Sequence, residues 1–236
     1  MKALRIKLRT YAIALLISVG FTTTSIAGSG DFAGIYGAFT GSAGAAAING
    51  RHVDQSGGIT EGQVGGVFPM AGYEVGFNLP LGPVFFLGAG HSWTKGGTAS
   101  IADGSENNLA RSADKETGQD AGGLSNFHLK AKNLKEVYIM PSVSIYDNSA
   151  VYVKLGRTIA DTELTGTATG VPGNLTGDLL GIGTIAMTDS GIFIKTEGTV
   201  TRFDDISITG VGGSGNSKIE GTPDMVAGTV AIGFKF

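Results

Sequence analysis

The last eleven residues of the chain, Val226–Phe236, alternate between two kinds of side chain. The apolar parity carries Val226, Val230, Ile232, Phe234 and Phe236. The other parity carries Ala227, Thr229, Ala231, Gly233 and Lys235. A period of two predicts a β-strand with one apolar face and one small or polar face. A strand of a water-soluble β-sandwich could show the same alternation, so other features must decide the class of protein.

The N-terminal residues, 1–27, are typical of a secretory signal peptide. Its basic residues are Lys2, Arg5, Lys7 and Arg9. The apolar run that follows, Tyr11–Phe21, is shorter than the roughly 20 residues of a membrane-spanning helix. Ser25 and Ala27 place small residues where a signal peptidase needs them, which predicts cleavage after Ala27. The alternative is a retained membrane anchor.

Charge and cysteine content exclude several classes of function. Four of the 17 basic residues lie in the predicted signal, so the remaining 13 face 20 acidic residues and give a net charge of −7. Such an acidic chain is a poor binder of nucleic acid. The absence of cysteine excludes disulfides and thiol chemistry. The 40 glycines have no collagen-like period and are compatible with a tightly curved sheet.

The alternation recurs upstream of the last strand, and we predict eight strands in total. They are approximately Phe32–Thr40, Phe68–Leu79, Val84–Trp93, Leu134–Tyr146, Ala150–Ile159, Asp178–Thr188, Ile192–Phe203 and Val226–Phe236. Extension of the first strand to Ala47 and of the seventh to Ile208 is left open. Strands one, three and six carry apolar residues on both parities, so the sequence does not assign their faces.

The connections between these strands alternate in length. Strands two, four and six are followed by tight turns, and strands one, three, five and seven by long polar loops, of which Thr94–Asn133 is the longest. Transmembrane β-barrels have short periplasmic turns and long external loops. The sequence therefore predicts an all-β fold for 28–236. This single domain would be an eight-stranded antiparallel up-and-down transmembrane β-barrel with four long external loops and three short periplasmic turns.

Six charged residues fall on the parity expected to face the barrel interior. They are Glu74, Glu136, Lys154, Lys195, Glu197 and Lys235. Eight strands enclose a space that side chains just fill, so charges inside it must pair. We hypothesise a luminal ion-pair network that blocks a wide channel. Its role is either structural, which we favour, or that of a gate for slow ion leakage.

Aromatic residues near the strand ends predict a girdle at the membrane surfaces. They are Phe32, Tyr36, Trp93, Tyr146, Phe203 and Phe236. The alternative is that they are ordinary core or loop residues. A girdle position is favoured for Trp93, the single tryptophan.

No residue pattern points to catalysis or to a bound group. Of the three histidines, His52, His91 and His128, only His91 has a neighbouring serine, Ser92. Adjacent strand residues point to opposite faces, which argues against a Ser–His pair. The acidic stretch 103–120 lacks the spacing of a calcium loop. We therefore expect no enzyme activity, catalytic residues, metal or cofactor.

These features together resemble the small eight-stranded outer-membrane barrels, namely the OmpA transmembrane domain, OmpX and the opacity-type surface proteins. The resemblance covers Asp31 to Phe236 and rests on the terminal strand, the loop lengths and the inward charges. It implies insertion by the barrel assembly machinery, which reads a C-terminal strand ending in an aromatic residue. The residues that match this signal are Val230, Ile232, Phe234 and Phe236.

The resemblance implies a location and leaves the function open. We expect an exported monomer in the outer membrane of a Gram-negative bacterium, in contact with lipid and lipopolysaccharide. The leading interpretation is a structural or surface-interaction protein, adhesin-like or opacity-like, whose external loops meet an unidentified ligand. A narrow porin-like channel for small solutes or ions is the alternative. An enzyme that modifies lipid A is a distant third.

Overall fold

The computed structural model describes residues 28–53, 58–95, 98–103, 128–165, 170, 173–209 and 218–236. Within them, a short 3-10 helix at Ser29–Phe32 precedes the strands. The strands are β1 (Gly34–Val53), β2 (Ile59–Pro80), β3 (Phe85–Lys95), β4 (Thr98–Asp103), β5 (His128–Tyr146), β6 (Ser149–Thr165), β7 (Asn174–Met187), β8 (Ile192–Phe203), β9 (Ile206–Thr209) and β10 (Lys218–Lys235). None of the described helical residues forms a helix long and apolar enough to cross a membrane. The predicted signal peptide lies outside the described residues.

The strands form a ring of antiparallel neighbours in the order β1-β2-β3-β5-β6-β7-β8-β10. The last strand, β10, pairs back with β1 along the whole stretch from Tyr36 to Val53. The two short strands do not widen the ring, because β4 continues β3 along β5 and β9 continues β8 along β10. The wall therefore has eight strand positions, and the predicted closed eight-stranded barrel is confirmed.

The connections sort between the two ends of the barrel. Residues 81–84, 147–148 and 188–191 form short turns at one end, which we call the turn end. Gly191 has a φ of 87° in the last of these turns, a conformation that favours glycine. At the opposite, loop end the described strands end at Val53, Asp103, Thr165 and Thr209, and the next described strands begin at Ile59, His128, Asn174 and Lys218. The strands extend further toward this end than predicted, since β1 ends at Val53 and β2 begins at Ile59.

Side chains alternate between the lumen and the outer face, as β8 illustrates. Its buried residues are Phe193, Lys195, Glu197, Thr199, Thr201 and Phe203. The structure also assigns faces that the sequence left open. On β3, Phe86 is buried and Phe85 is exposed, while on β7 Leu179 is buried and Ile182 is exposed. These strands look apolar on both parities because parts of the lumen are themselves lined by apolar side chains.

Several inward tyrosines lie across a glycine of the neighbouring strand. The register pairs are Tyr36 with Gly76, Tyr138 with Gly90 and Tyr152 with Gly183. A Cβ at Gly76 would lie 2.4 Å from the Tyr36 ring, and a Cβ at Gly183 would lie 2.4 Å from the Tyr152 hydroxyl. No side chain fits in either place. The glycines thus leave space for the tyrosine rings against the inner wall of a narrow lumen.

A pair of alanine substitutions tests this packing. Gly183→Ala should lower the free energy of unfolding by about 1–3 kcal/mol, since the new methyl group would collide with the Thr196 backbone oxygen and the Tyr152 ring. Gly198→Ala on β8 is the control, because a Cβ there has no atom within 4 Å. We expect it to change stability by less than about 0.5 kcal/mol. Urea unfolding in lipid vesicles measures both, and equal effects would contradict the packing described.

Candidate functional site in the barrel lumen

Two apolar clusters fill the two ends of the lumen. The turn-end cluster contains Phe32, Tyr36, Ala38, Phe86, Tyr138, Met140, Ala150, Tyr152, Ile185, Met187, Phe193 and Ala231. The rings of Phe32 and Phe86 stack there at 5.0 Å. The loop-end cluster contains Ala46, Ile48, Phe68, Met70, Leu129, Ala131, Leu134, Ala160, Leu175, Phe203, Ile206, Ile208, Ile219 and Met225. Ile48, Leu129 and Ile208 in this cluster have no exposed surface.

Charged side chains meet in the middle of the lumen, between the two clusters. The Nζ of Lys154 donates to Glu136 Oε2 at 2.7 Å and to Glu197 Oε1 at 2.9 Å. The Nζ of Lys195 donates to Glu74 Oε2 at 2.6 Å. Both lysines and Glu74 are only 2% exposed. We call these five residues the luminal charge layer.

Tyrosine hydroxyls supply further donors to the carboxylates. The Tyr138 hydroxyl donates to Glu74 Oε2 at 3.3 Å, and the Tyr36 hydroxyl lies 3.1 Å from that of Tyr138. The Tyr152 hydroxyl donates to Glu197 Oε2 at 3.0 Å. Hydrogen bonds of this kind offset part of the cost of taking a carboxylate out of water.

Two more contacts complete the assembly, and the second of them joins its ion pairs. The Ser92 hydroxyl donates to Glu136 Oε2 at 2.8 Å. The Nζ of Lys154 lies 4.3 Å from the centroid of the Tyr138 ring, within the range of a cation–π interaction. Because Tyr138 also bonds to Glu74, this contact connects the Lys154 ion pairs with the Lys195 ion pair.

The structure brings together five of the six charged residues that the sequence placed in the lumen. Lys235 lies apart from them at the turn end, where its Nζ donates to the backbone oxygen of Asp31 at 2.7 Å. Sequence reasoning missed Ser92 and the three tyrosines of the assembly. The sequence does contain a signal for two of the tyrosines. Residues two apart on a strand share a face, and Tyr138 follows Glu136 by two residues while Tyr152 precedes Lys154 by two.

The predicted aromatic girdle is wrong for three of its members. Phe32, Tyr36 and Phe203 are 2–3% exposed. Tyr36 and Phe203 lie on the lumen-facing parity of their strands, and Phe32, at the end of the 3-10 helix, stacks on Phe86 in the lumen. Tyr146 and Phe236 do project outward, with 68% and 78% of their surface exposed.

The single tryptophan lies on the outer parity. Trp93 is half-buried, and its ring packs edge-on against Tyr73 at 5.4 Å. Two residues of the predicted assembly signal, Val230 and Ile232, are more than half exposed on the outer face, and Phe234 and Phe236 also project outward from it.

The serine and histidine of β3 point away from each other. Ser92 is buried in the lumen, and His91 is half-buried on the opposite parity. The pair therefore cannot share a proton in this arrangement. The side chains of His52 and His128, and the acidic stretch 103–120 beyond its first residue, lie outside the described residues. In the part of the chain that is described, no group of three or more acidic or histidine residues is arranged to hold a metal ion.

No protein-family model matches the sequence, and no curated protein matches it. Among solved structures, Ail, the attachment invasion locus protein of Yersinia pestis, has 13% identity and a TM-score of 0.37, over 84% of this chain and 99% of that one. The outer membrane protein OprG of Pseudomonas aeruginosa has 12% identity and a TM-score of 0.44, over 90% and 97%. The outer membrane protease OmpT of Escherichia coli has 11% identity and a TM-score of 0.42, over 91% and 99%.

A substitution at the centre of the charge layer tests whether its ion pairs support the fold. Lys154→Met should lower the free energy of unfolding by about 3–5 kcal/mol, because it leaves Glu136 and Glu197 without their shared cation. Unfolding in lipid vesicles measures the loss.

The matched control lies three residues away on the outer face of the same strand. Arg157 pairs with Asp178 at 2.6 Å, but both side chains are more than half exposed. Arg157→Met should therefore cost less than about 1 kcal/mol. A larger cost for the control than for Lys154→Met would contradict the assignment.

Proposed function

We propose that the chain is an outer-membrane β-barrel with a structural or surface-interaction role and a lumen closed by its own side chains. The observation that carries the proposal is the apolar outer face of a closed barrel. Each of the eight strands that form the ring carries exposed apolar side chains on its outer face. They include Ile35, Phe39, Val75, Phe77, Phe85, Val137, Ile139, Leu155, Ile182, Ile194, Val230 and Ile232. An apolar surface of this extent favours contact with lipid over contact with water.

A row of outward charges marks where the apolar band ends. Arg157, Asp178, Arg202 and Asp224 lie side by side in register on β6, β7, β8 and β10. Toward the turn end from this row, the exposed large side chains of β8 and β10 are apolar. The stretch Val226–Phe236 has the length of about 9–11 residues with which a tilted strand crosses a bilayer.

Beyond the charged row, the barrel wall continues toward the loop end, and its exterior there carries ion pairs as well as apolar side chains such as Ile59. Arg51 and Lys218 both form ion pairs with Glu220 there, and their hydrogen bonds hold the pKa of that carboxyl below its ordinary value. The Thr222 hydroxyl donates a hydrogen bond to the carboxylate of Asp205, which lies between β8 and β9. This projecting part supports a role in contacts outside the cell, because paired strands present a fixed surface to a partner.

The packing of the lumen favours this role over a channel. A continuous aqueous route would have to cross the apolar clusters at both ends of the described lumen, and the buried ion pairs of the charge layer lie between them. A lipid A-modifying enzyme has no support from His91 and Ser92, which lie on opposite faces. The proposal retains the barrel assembly machinery and lipopolysaccharide as partners, and the external ligand is unidentified.

Single cysteines test the location and the closed lumen together, since the chain has no cysteine of its own. In intact cells, a membrane-impermeant maleimide should label Ser207→Cys at the loop end. It should label Asn148→Cys, in a turn at the opposite end, only after the outer membrane is permeabilised. Thr199→Cys, which faces the lumen and is buried, should react only after unfolding.

The three positions have distinct contradicting outcomes. Labelling of Asn148→Cys but not Ser207→Cys in intact cells would mean that the barrel has the opposite orientation, with its turn end outside the cell. Rapid labelling of Thr199→Cys in the folded protein would contradict the closed lumen. Recovery of all three variants in a soluble fraction would contradict the proposed location in the membrane.

A further inference from the structure

The first described residues of the chain fold into the turn end of the barrel without joining its wall. The 3-10 helix Ser29–Phe32 precedes β1 and pairs with no strand in the described sheet. Its last residue, Phe32, is 2% exposed and stacks on Phe86 with the two rings 8° from parallel. We call Ser29–Phe32 the N-terminal plug, because it fills part of the lumen with a side chain that belongs to no strand of the barrel.

Hydrogen bonds from separate parts of the turn end hold the N-terminal plug in place. The Ser29 amide donates to the backbone oxygen of Pro83, in the turn between β2 and β3, at 2.8 Å. The Asn78 side chain donates to the backbone oxygen of Phe32 at 3.0 Å. The Nζ of Lys235, at the end of β10, donates to a further backbone oxygen of the plug. The plug is therefore held by turn and side-chain contacts and not by a strand ladder.

A glycine joins the plug to the wall. Gly34, the first residue of β1, has a φ of 119°, which favours glycine. A Cβ there would also lie 2.9 Å from the backbone oxygen of Phe236. Gly34 thus permits the change of direction between the plug, inside the lumen, and β1, in the wall. Motions of protein segments concentrate at a few such residues, which absorb the change in backbone angles.

A cavity of about 20 Å³ lies between the plug and the luminal charge layer. Phe32 of the plug and Lys195 of the charge layer both line it. Asn78 lines it as well, and its Oδ1 is buried without a hydrogen-bond partner in the described structure. Departure of the Phe32 ring would join this cavity to the space that the ring now fills, and so bring water from the turn end to Lys195.

We propose that the N-terminal plug is a lid over the charge layer, which closes the lumen at its turn end and opens while the wall stays folded. The inference rests on the closed lumen proposed above and names the element that closes one end of it. Ladders along every strand hold the wall, whereas the plug depends on the Phe32 ring and the hydrogen bonds just described. A segment held in this way opens at a lower cost in free energy than strands inside a ladder.

A pair of aspartate substitutions tests the lid. Phe32→Asp should expel the plug, because a carboxylate is costly to bury against the ring of Phe86. Gly30→Asp is the matched control, since it adds the same side chain to the plug at an exposed position where a Cβ has no atom within 4 Å. The readout is the rate at which a small methanethiosulfonate reagent modifies Met187→Cys, which lines the cavity beneath the plug. Detergent micelles hold the protein, so that the reagent reaches both ends of the barrel.

Phe32→Asp should raise this rate at least about tenfold, and Gly30→Asp should leave it unchanged. A cysteine in the loop-end cluster, Met225→Cys, should stay unreactive in each of these proteins. Protection of Met187→Cys that survives Phe32→Asp would overturn the lid alone, because the wall would then close the turn end by itself. Equal acceleration by Gly30→Asp would also overturn it.

Two further results keep the test decisive. Reaction of Met225→Cys while the plug is intact would contradict the closed lumen on which the lid depends. The shift in gel mobility on heating verifies that each variant is folded. If Phe32→Asp does not fold, Phe32→Ala replaces it with Gly30→Ala as its control, and the same outcomes support or overturn the lid.

Discussion

The ladder between β1 and β10 is the constraint on which the rest of the structure depends. By joining the first strand to the last from Tyr36 to Val53, it closes the sheet, so the barrel has no free edge along that seam. A closed ring of eight strands encloses a lumen that side chains just fill. Every inward residue must therefore fit its neighbours. The tyrosines meet this requirement by lying across glycines, such as Tyr152 across Gly183.

The same closure explains why the charges gather in one layer. A residue in the middle of the lumen cannot reach bulk water, so Lys154 and Lys195 must find carboxylates inside the barrel. The resulting network adds little net stability compared with an apolar core, but loss of one partner is expensive. It also specifies register, because a shift of one residue along β8 would turn Lys195 and Glu197 toward the outer face. We infer that the charge layer favours one pairing of strands over its neighbours.

Much of this architecture follows from the sequence, and the exceptions have physical causes. Parity alone places Glu74 and Lys154 inside and Phe234 outside, because a strand permits only two directions. Parity does not say which aromatic residues near a strand end face lipid, so Tyr36 and Phe203 were expected at the membrane surface and lie in the lumen. The missing information is the partner across the ladder, such as Gly76 opposite Tyr36. The extent of β1 and β2 was missed for a similar reason, since small and polar residues there belong to paired strands.

We propose that side chains close the lumen from end to end of the described barrel. Single-channel recording of the refolded protein in a planar lipid bilayer tests it most directly. Insertion should be verified independently, by the shift in gel mobility on heating that a folded barrel often shows. A closed lumen should leave the current at baseline apart from brief, small events. A large, steady conductance that accompanies each insertion would contradict it.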